Sequence, residues 1–315
     1  MKSRVGVIDV GSNSIKALLA EEATVPGHLR VIFEKTLEVR ISQGIAGTPP
    51  LLQPERIEAG LRAVVQLWRD CLDEGPLQAF RIVATSAVRS SANGFRFLDG
   101  VTARTGIRPD ILSGEEEAEA IAMGVLTDPG IRLGKAPFTV FDLGGGSLEL
   151  IRFENLEVTA RASLPLGAVR LTEAFIHDPT LPLPPPVKEV LEAHVHSLIA
   201  GSGLALVPPL IGCGGGLAAV RSILSERTGT GMASESVALG RTEITDLERE
   251  VAAISLEERL RLPGMPPGRA DIAPAAFLVF RILLELAGAD RLQHSFHNLR
   301  FGIARQLLKG GRASS

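Results

Sequence analysis

Apolar residues follow two different spacings along the first 126 residues, and each spacing predicts a different kind of element. Short runs rich in β-branched residues predict strands at 5–10, 15–20, 29–34 and 80–84. Apolar positions three and four apart predict helices over 54–72, 92–105 and 113–126. Ser113 and Glu116 have the spacing of a capping box at the start of the third helix. This half of the chain therefore alternates between sheet and helix.

The pattern restarts after the turn at 128–130. Strands are predicted at 139–143, 148–153 and 157–164, and an apolar run at 209–212 leads into a glycine cluster. Helices are predicted at 187–200, 217–226, 245–262, 274–286 and 301–308, and residues 310–315 are predicted to fray. A length of 315 residues at about 150 per domain favours two domains, which we place at 1–126 and 127–315.

The restart contains a repeat. Residues 7–14 (VIDVGSNS) align with residues 140–147 (VFDLGGGS), and each copy continues into a second apolar strand. Turns of Gly and small residues expose backbone N–H groups that bind anions. An Asp beside a phosphate requires a cation between them, and Mg²⁺ is the usual one. A single copy is equally typical of an ordinary hairpin, but two copies in matching positions favour a pair of phosphate-binding turns.

Composition and charge exclude several classes of protein. Hydrophobic residues at 45% and charged residues at 22% are typical of a globular chain and exclude general disorder. The net charge of −3 gives no basic field for nucleic acid, and aromatic residues at 4% offer few stacking positions. No signal or membrane segment is apparent, and two cysteines do not make a disulfide framework. We expect a soluble cytoplasmic protein that binds neither nucleic acid nor membranes.

Common nucleotide motifs are missing. Residues 130–136 resemble a P-loop that is one residue short and ends in Ala136 instead of Ser or Thr. The cluster at 212–216 lacks the third glycine of a dinucleotide fingerprint. Because it precedes a predicted helix, this cluster is either a third phosphate loop or a flexible turn.

Six motifs in order carry a family resemblance: 8–14 (IDVGSNS), 84–89 (ATSAVR), 113–118 (SGEEEA), 142–149 (DLGGGSLE), 163–170 (SLPLGAVR) and 268–271 (GRAD). Together they resemble the exopolyphosphatase and guanosine pentaphosphate phosphohydrolase family, within the actin, sugar kinase and heat-shock chaperone ATPase superfamily. The resemblance implies an α/β fold of two similar ribonuclease H-like (actin-like ATPase) domains with an interdomain cleft. It also implies that a C-terminal helix at about 300–310 packs on the first domain.

The resemblance implies a role for each matching residue. Glu117 matches the general base, although an acidic residue in a first helical turn is also explained by the helix dipole. The implied Mg²⁺ carboxylates are Asp142, Glu149 and Asp9. The implied phosphate-binding residues are Gly11, Ser12, Asn13, Ser14, Arg89, Gly144, Gly145, Gly146 and Ser147, with a possible third loop at Gly214, Gly215 and Gly216. Arg89 is equally compatible with an ordinary surface arginine.

The function expected from this resemblance is removal of a terminal phosphate from inorganic polyphosphate or guanosine pentaphosphate by attack of water. A kinase-like ATPase and a non-catalytic alarmone sensor remain alternatives. Gly216 departs from the family, which usually has Thr at this position, and this departure leaves the role of the third loop open. The resemblance alone suggests a homodimer.

Overall fold

The chain folds into two compact units. The structure is a computed structural model that describes residues 3–45, 48–229 and 238–310. Unit 1 comprises Met1–Pro129 and His297–Ser315, and unit 2 is Gly130–Phe296. The C-terminal segment thus belongs to the unit formed by the N-terminal residues. Most of the tail predicted to fray, residues 311–315, lies outside the described residues.

The strands and helices of the described residues are numbered in chain order. The strands are β1 (Arg4–Val10), β2 (Ser14–Glu22), β3 (Leu29–Glu38), β4 (Ala79–Ala84), β5 (Asp110–Ile111), β6 (Phe138–Leu143), β7 (Leu148–Glu154), β8 (Glu157–Leu164), β9 (Leu210–Cys213), β10 (Ala238–Gly240) and β11 (Arg291–His294). The helices are α1 (Pro54–Asp73), α2 (Ser86–Ser90), α3 (Gly94–Thr105), α4 (Gly114–Val125), α5 (Ala168–Phe175), α6 (Pro185–Gly201), α7 (Gly215–Thr228), α8 (Arg241–Ala253), α9 (Leu256–Arg261), α10 (Ala273–Leu286) and α11 (Leu299–Lys309).

The two units have sheets of the same topology. In unit 1 the strand order is β3-β2-β1-β4-β5, and in unit 2 it is β10-β11-β9-β6-β7-β8. Each sheet begins with an antiparallel meander, and its first strand then pairs in parallel with the strand that follows a helical crossover. Strand β10 is an addition at the edge of unit 2. The predicted α/β class with two similar domains is confirmed.

Each unit has its own hydrophobic core. The core of unit 1 lies between the sheet and helices α1–α3 and includes Ile8, Val64 and Phe97. The core of unit 2 surrounds α10, which is apolar on nearly every side and is buried along most of its length. A helix that is apolar all round is expected to be buried. No helix in the described residues has the length and apolar character needed to cross a membrane.

Helices α4 and α11 cross closely in unit 1. A side-chain carbon at Gly302 would collide with the Ala120 carbonyl, and one at Gly124 would collide with the Asn298 carbonyl. Glycine at these two positions therefore lets the two backbones touch. Helix α11 also packs against β1 and β2, so the C-terminal segment supports both α4 and the first strands of the sheet.

The structure differs from the predicted elements at one long helix, two short helices and three short strands. The helix predicted over 245–262 is two helices, because Ser255 caps α9 with its own capping box to Glu258. Two short helices, α2 and α5, were not predicted as separate elements. The short strands β5, β10 and β11 also escaped prediction, because two to four residues are too few to show an alternating pattern.

Candidate functional site

The two copies of the repeat form the same turn. In unit 1 the Gly11 N–H donates to the Ser14 carbonyl at 3.1 Å, and in unit 2 the Gly144 N–H donates to the Ser147 carbonyl at 3.0 Å. Each turn joins the first two strands of its sheet. The sequence repeat is therefore also a structural repeat.

In unit 2 the N-terminus of α5 engages the carbonyl groups of this turn. Backbone N–H groups of α5 donate to the carbonyls of Gly144 and Gly145 at 3.0–3.1 Å, and Arg170 Nε donates to the Gly146 carbonyl at 2.9 Å. In the part of the chain that the structure describes, the N–H groups of residues 145–147 donate no hydrogen bond. The turn thus offers consecutive N–H donors while its carbonyls are occupied, an arrangement that suits an anion.

The turn in unit 1 is held in a similar way, by a loop instead of a helix. The Ser12 carbonyl accepts hydrogen bonds from the N–H and hydroxyl of Ser42 at 3.2 and 3.1 Å. The Asn13 carbonyl accepts from the N–H groups of Val39 and Arg40 at 3.1 and 2.8 Å. Within the described residues, the Ser12 N–H donates no hydrogen bond. Both turns therefore have carbonyls fixed by a later segment of the same unit.

The carboxylates differ between the two repeats. Asp142 on β6 lies directly opposite Glu149 on β7, so two acidic side chains share one face of the unit 2 sheet. Glu149 is 2% exposed and accepts a hydrogen bond from the Ser163 hydroxyl at 2.9 Å. In unit 1, Asp9 lies opposite Lys16. The same register thus pairs two acids in unit 2 and an acid with a base in unit 1.

Asp9 has a buried oxygen, Oδ1, that makes no hydrogen bond within the described structure. Burial raises the pKa of Asp9 above its ordinary value, and the positive charges of Lys16 and Arg300 partly offset this increase. A buried, unsatisfied carboxylate oxygen is costly unless a proton or a cation approaches it. The Oδ1 atom of Asp9 is therefore placed to take up a proton or to face a cation.

The carboxylate pair of unit 2 fits Mg²⁺. Magnesium usually takes one or two carboxylates together with phosphate oxygens and water. Asp142 and Glu149 provide two carboxylates beside the N–H groups of the turn in their own unit. The described residues contain no group of three or more His, Cys, Asp or Glu side chains arranged to hold a metal.

The third glycine loop lies beside Asp142. Strand β9 pairs with β6 so that Cys213 is opposite Asp142, and a Cβ at Gly214 would be 2.6 Å from Asp142 Oδ1. Gly214 has φ +99° and ψ 163°, a conformation nearly restricted to glycine. Helix α7 begins at the next residue without a side-chain cap, and the Arg269 guanidinium lies against Gly215. A positive side chain and a helix N-terminus therefore meet at this loop.

Gly216 faces the core of unit 2. A Cβ at this position would be 2.9 Å from Phe280 Cζ and 3.6 Å from the Ala276 Cβ. A threonine would therefore need Phe280 to move before it could fit. The departure from the family threonine is thus matched by the packing of this chain.

Glu117 lies in the first turn of α4, where it is 5% exposed and forms an ion pair with Arg89. Arg89 Nη1 also donates to the Leu112 carbonyl at 2.5 Å. The neighbouring Glu116 instead completes the capping box with Ser113, as predicted. The structure therefore brings together two of the predicted site residues of unit 1, Arg89 and Glu117.

Two charged residues beside these loops were not predicted from the sequence. Lys16 follows the first turn by two residues, and the strand register that places it opposite Asp9 could have identified it. Arg269 belongs to the 268–271 motif, but no local signal shows that it reaches Gly215, more than fifty positions earlier in the chain.

The duplicated sheets, each with a glycine turn after an Asp-bearing first strand, define a two-domain α/β protein with the actin-like ATPase fold. The chain belongs to the Ppx/GppA phosphatase family, whose model matches residues 22–309. It is 31% identical over 321 residues to Exopolyphosphatase 2 of Mycobacterium tuberculosis, covering 97% of this chain and 98% of that protein. It is 26% identical to the guanosine-5'-triphosphate,3'-diphosphate pyrophosphatase of Vibrio vulnificus, covering 96% of this chain and 58% of that protein.

Solved structures agree on the fold. An exopolyphosphatase from Cytophaga hutchinsonii aligns with a TM-score of 0.87 at 24% identity, covering 99% of this chain and 100% of that one. The Aquifex aeolicus PPX-GPPA enzyme aligns with a TM-score of 0.79 at 24% identity, covering 97% and 100%. The arrangement of the two sheets is thus shared with structures of distant sequence.

Proposed function

We propose that the protein is a hydrolase that releases the terminal phosphate from a phosphoanhydride chain, with inorganic polyphosphate or guanosine pentaphosphate as substrate. Family membership supports the phosphatase chemistry. The names of the Mycobacterium and Vibrio relatives support the two substrates. Both substrates end in the same phosphate groups, so one set of phosphate-binding turns serves either.

One observation carries the proposal. In unit 2, the opposed carboxylates of Asp142 and Glu149 lie beside a turn whose carbonyls are engaged and whose N–H groups at 145–147 remain available. N–H donors bind phosphate oxygens, whereas carboxylates repel them unless a cation is present. The combination supports a phosphate–magnesium complex better than either feature alone.

The reaction assigned to these residues is attack of water on the terminal phosphorus. A bond forms between the water oxygen and phosphorus, the bridging P–O bond breaks, and the leaving phosphate takes the bond electrons. Glu117 accepts the water proton, which a positioned general base does with a gain of about 10²–10⁴ in rate. Arg89 is proposed to bind phosphate, so a phosphate competes with Glu117 for the guanidinium and releases the carboxylate for its role as base.

Asp142 and Glu149 would hold Mg²⁺ in unit 2, and Asp9 is proposed to face a cation in unit 1, directly or through water. When bound, the ion would neutralise phosphate charge, which is a main requirement of phosphoryl transfer. The turns at 11–14 and 144–147 would orient the phosphates through N–H groups and hydroxyls. The third loop would add the N-terminus of α7 and the charge of Arg269.

The deciding experiment measures phosphate release with Mg²⁺ from short polyphosphate, long polyphosphate and guanosine pentaphosphate. Wild type is compared with Glu117→Gln and with Glu119→Gln, an exposed acid on the same helix. We expect turnover of at least one substrate, a loss of at least about 10²-fold in Glu117→Gln and no loss in Glu119→Gln. Absence of release from all three substrates contradicts the hydrolase, and binding of the same ligands without turnover would favour the alarmone sensor.

The cytoplasmic location and the homodimer stay predictions. Both cysteines are free and buried, which is compatible with a reducing compartment. The homodimer rests on family resemblance, and light scattering of the purified protein would measure it directly.

A further inference from the structure

Phe296 is an exposed aromatic residue just beyond the carboxyl end of β11. The third glycine loop follows the carboxyl end of the neighbouring strand β9. Strand β11 runs parallel to β9, with His294 opposite Gly212, and the Ser295 N–H donates to the Gly212 carbonyl at 2.9 Å. The carboxyl ends of parallel strands meet at one edge of a sheet, where ligands of α/β proteins commonly bind. Phe296 therefore follows β11 at the same edge at which Gly214 follows β9.

The ring of Phe296 is held by polar neighbours of unit 2. The Arg221 guanidinium lies over the ring, 4.9 Å from its centroid, and Arg221 itself is only 5% exposed. The His294 ring packs against Phe296 with centroids 4.6 Å apart and planes at 64°. Even so, 44% of Phe296 remains exposed. A buried cation thus supports a ring whose remaining surface faces solvent.

A single exposed apolar side chain is ordinary in a folded protein. Phe296 differs in two ways. The Arg221 side chain that lies over it is buried, and β9, the strand beside β11, leads into the third glycine loop. Arg221 lies on α7, the helix that begins at that loop, so the same helix offers its N-terminus at one end and holds the aromatic ring further along. This arrangement suits a ligand that has phosphates at one end and a flat aromatic group at the other.

We propose that Phe296, supported by Arg221, is the stacking platform for the base of a guanosine pentaphosphate bound with phosphates at the third glycine loop. The inference rests on the proposed function, since it assumes that the loop binds phosphate. Polyphosphate has no base, so Phe296 distinguishes the nucleotide from polyphosphate. Loss of a base–aromatic stack typically weakens affinity about 5- to 150-fold.

The test is equilibrium binding measured by calorimetry in the presence of Mg²⁺. Guanosine pentaphosphate and a short polyphosphate are each titrated into Glu117→Gln and into the double variant Glu117→Gln/Phe296→Ala. The first substitution slows turnover so that binding can be measured. We expect the Kd of guanosine pentaphosphate to rise about tenfold in the double variant, while the Kd of the polyphosphate changes less than about twofold.

Further variants separate stacking from loss of bulk. Phe296→Leu keeps an apolar side chain over Arg221 and should still weaken nucleotide binding, whereas Phe296→Trp should keep it. In a Trp68→Phe background the new tryptophan is the single one of the chain, and its fluorescence should be quenched by the guanosine nucleotide and not by polyphosphate. Phe95→Ala, which removes an exposed phenylalanine of unit 1, should change neither affinity.

Equal weakening of both ligands by Phe296→Ala overturns the platform, because it indicates a general disturbance of the loop. Unchanged nucleotide affinity, or no nucleotide binding at all, also overturns it. The proposed hydrolase is judged separately by phosphate release from wild type. A wild type that binds the nucleotide through Phe296 but releases no phosphate would refute the hydrolase and keep the platform.

Discussion

Arg89 donates hydrogen bonds from one nitrogen, Nη1, to both the Glu117 carboxylate and the Leu112 carbonyl. The proposed phosphate-binding residue and the proposed base are therefore directly paired. The contact to Leu112 also ties α2 to the residue that precedes the N-cap of α4. A phosphate that draws Arg89 away would change both the charge at Glu117 and the support of its helix.

Arg89→Lys tests this pairing. Lysine keeps the charge but loses the planar guanidinium, which can serve a carbonyl, a carboxylate and a phosphate at once. Hydrogen bonds to charged groups contribute about 1.5–3 kcal/mol, so we expect kcat/KM for the phosphate substrate to fall about tenfold or more. Arg108→Lys, in an exposed ion pair of the same unit, is the matched control. Unchanged kcat and KM in Arg89→Lys would refute a role for the pair in the reaction.

Alanine substitutions at two matched capping boxes distinguish an effect on stability from an effect on activity. Ser113 caps α4, which carries Glu117, and Ser255 caps α9 in unit 2 with the same geometry. Replacement of either serine by alanine should lower the free energy of unfolding by about 1 kcal/mol. Because the cap sets the first turn of α4, only Ser113→Ala should also reduce phosphate release. Equal activity of the two variants at a temperature where both are folded would show that the α4 cap does not position Glu117.

The capping box of Ser113 and Glu116 predicts how the stability of the protein depends on pH. Hydrogen bonds from the Ser113 backbone and hydroxyl lower the pKa of Glu116 below its ordinary value of 4.5. A lowered pKa in the folded state stabilises the protein above the ordinary pKa, and this contribution is lost as the pH falls through the lowered pKa. Glu116→Gln should therefore reduce Tm at pH 7, and the difference from wild type should narrow below pH 4.5. A difference that does not depend on pH would contradict the assignment.

Asp9→Asn should change Tm at pH 7 in the opposite direction to Glu116→Gln. Burial raises the pKa of Asp9 above 3.8, so the protonated acid is favoured more in the folded state than in the unfolded state. Such a group stabilises the fold below its ordinary pKa and loses this contribution as the pH rises through the raised value. We expect Asp9→Asn to raise Tm at pH 7 in the absence of Mg²⁺, and this gain to shrink as the pH approaches 3.8. Thermal melts with added Mg²⁺ should show a smaller increase in the variant than in wild type if Asp9 faces the ion.

Gly214→Ala should be more damaging than an ordinary glycine substitution. The φ and ψ of Gly214 are nearly restricted to glycine, at a cost of about 1–3 kcal/mol for other residues, and the new Cβ would press on Asp142 Oδ1. Gly203→Ala is the control, because Gly203 also has a positive φ but no atom lies within 4 Å of its Cβ position. The two variants are compared by thermal unfolding and by phosphate release. Both should lose stability, and only Gly214→Ala should lose activity.

The sequence predicted best those features that depend on neighbouring residues. The glycine turns after β1 and β6, the Ser113 capping box and the long helices α1 and α10 follow from local spacing, and the structure contains them. Ser255 carries the same capping signal as Ser113, yet the continuous apolar spacing over 245–262 concealed it. The Arg89–Glu117 pair and the position of Arg269 on Gly215 arise from strand order and helix packing, so no spacing in the chain reveals them.

The close crossing of α4 and α11 through Gly124 and Gly302 means that unit 1 is complete only after α11 has been synthesised. Unit 2 is continuous in sequence, so a ribosome completes all of it before α11 emerges. Unit 1 begins first, but its elements β1, β2 and α4 pack against α11, which follows unit 2 in the chain. Unit 1 therefore stays incomplete while the whole of unit 2 is synthesised, and α11 closes it.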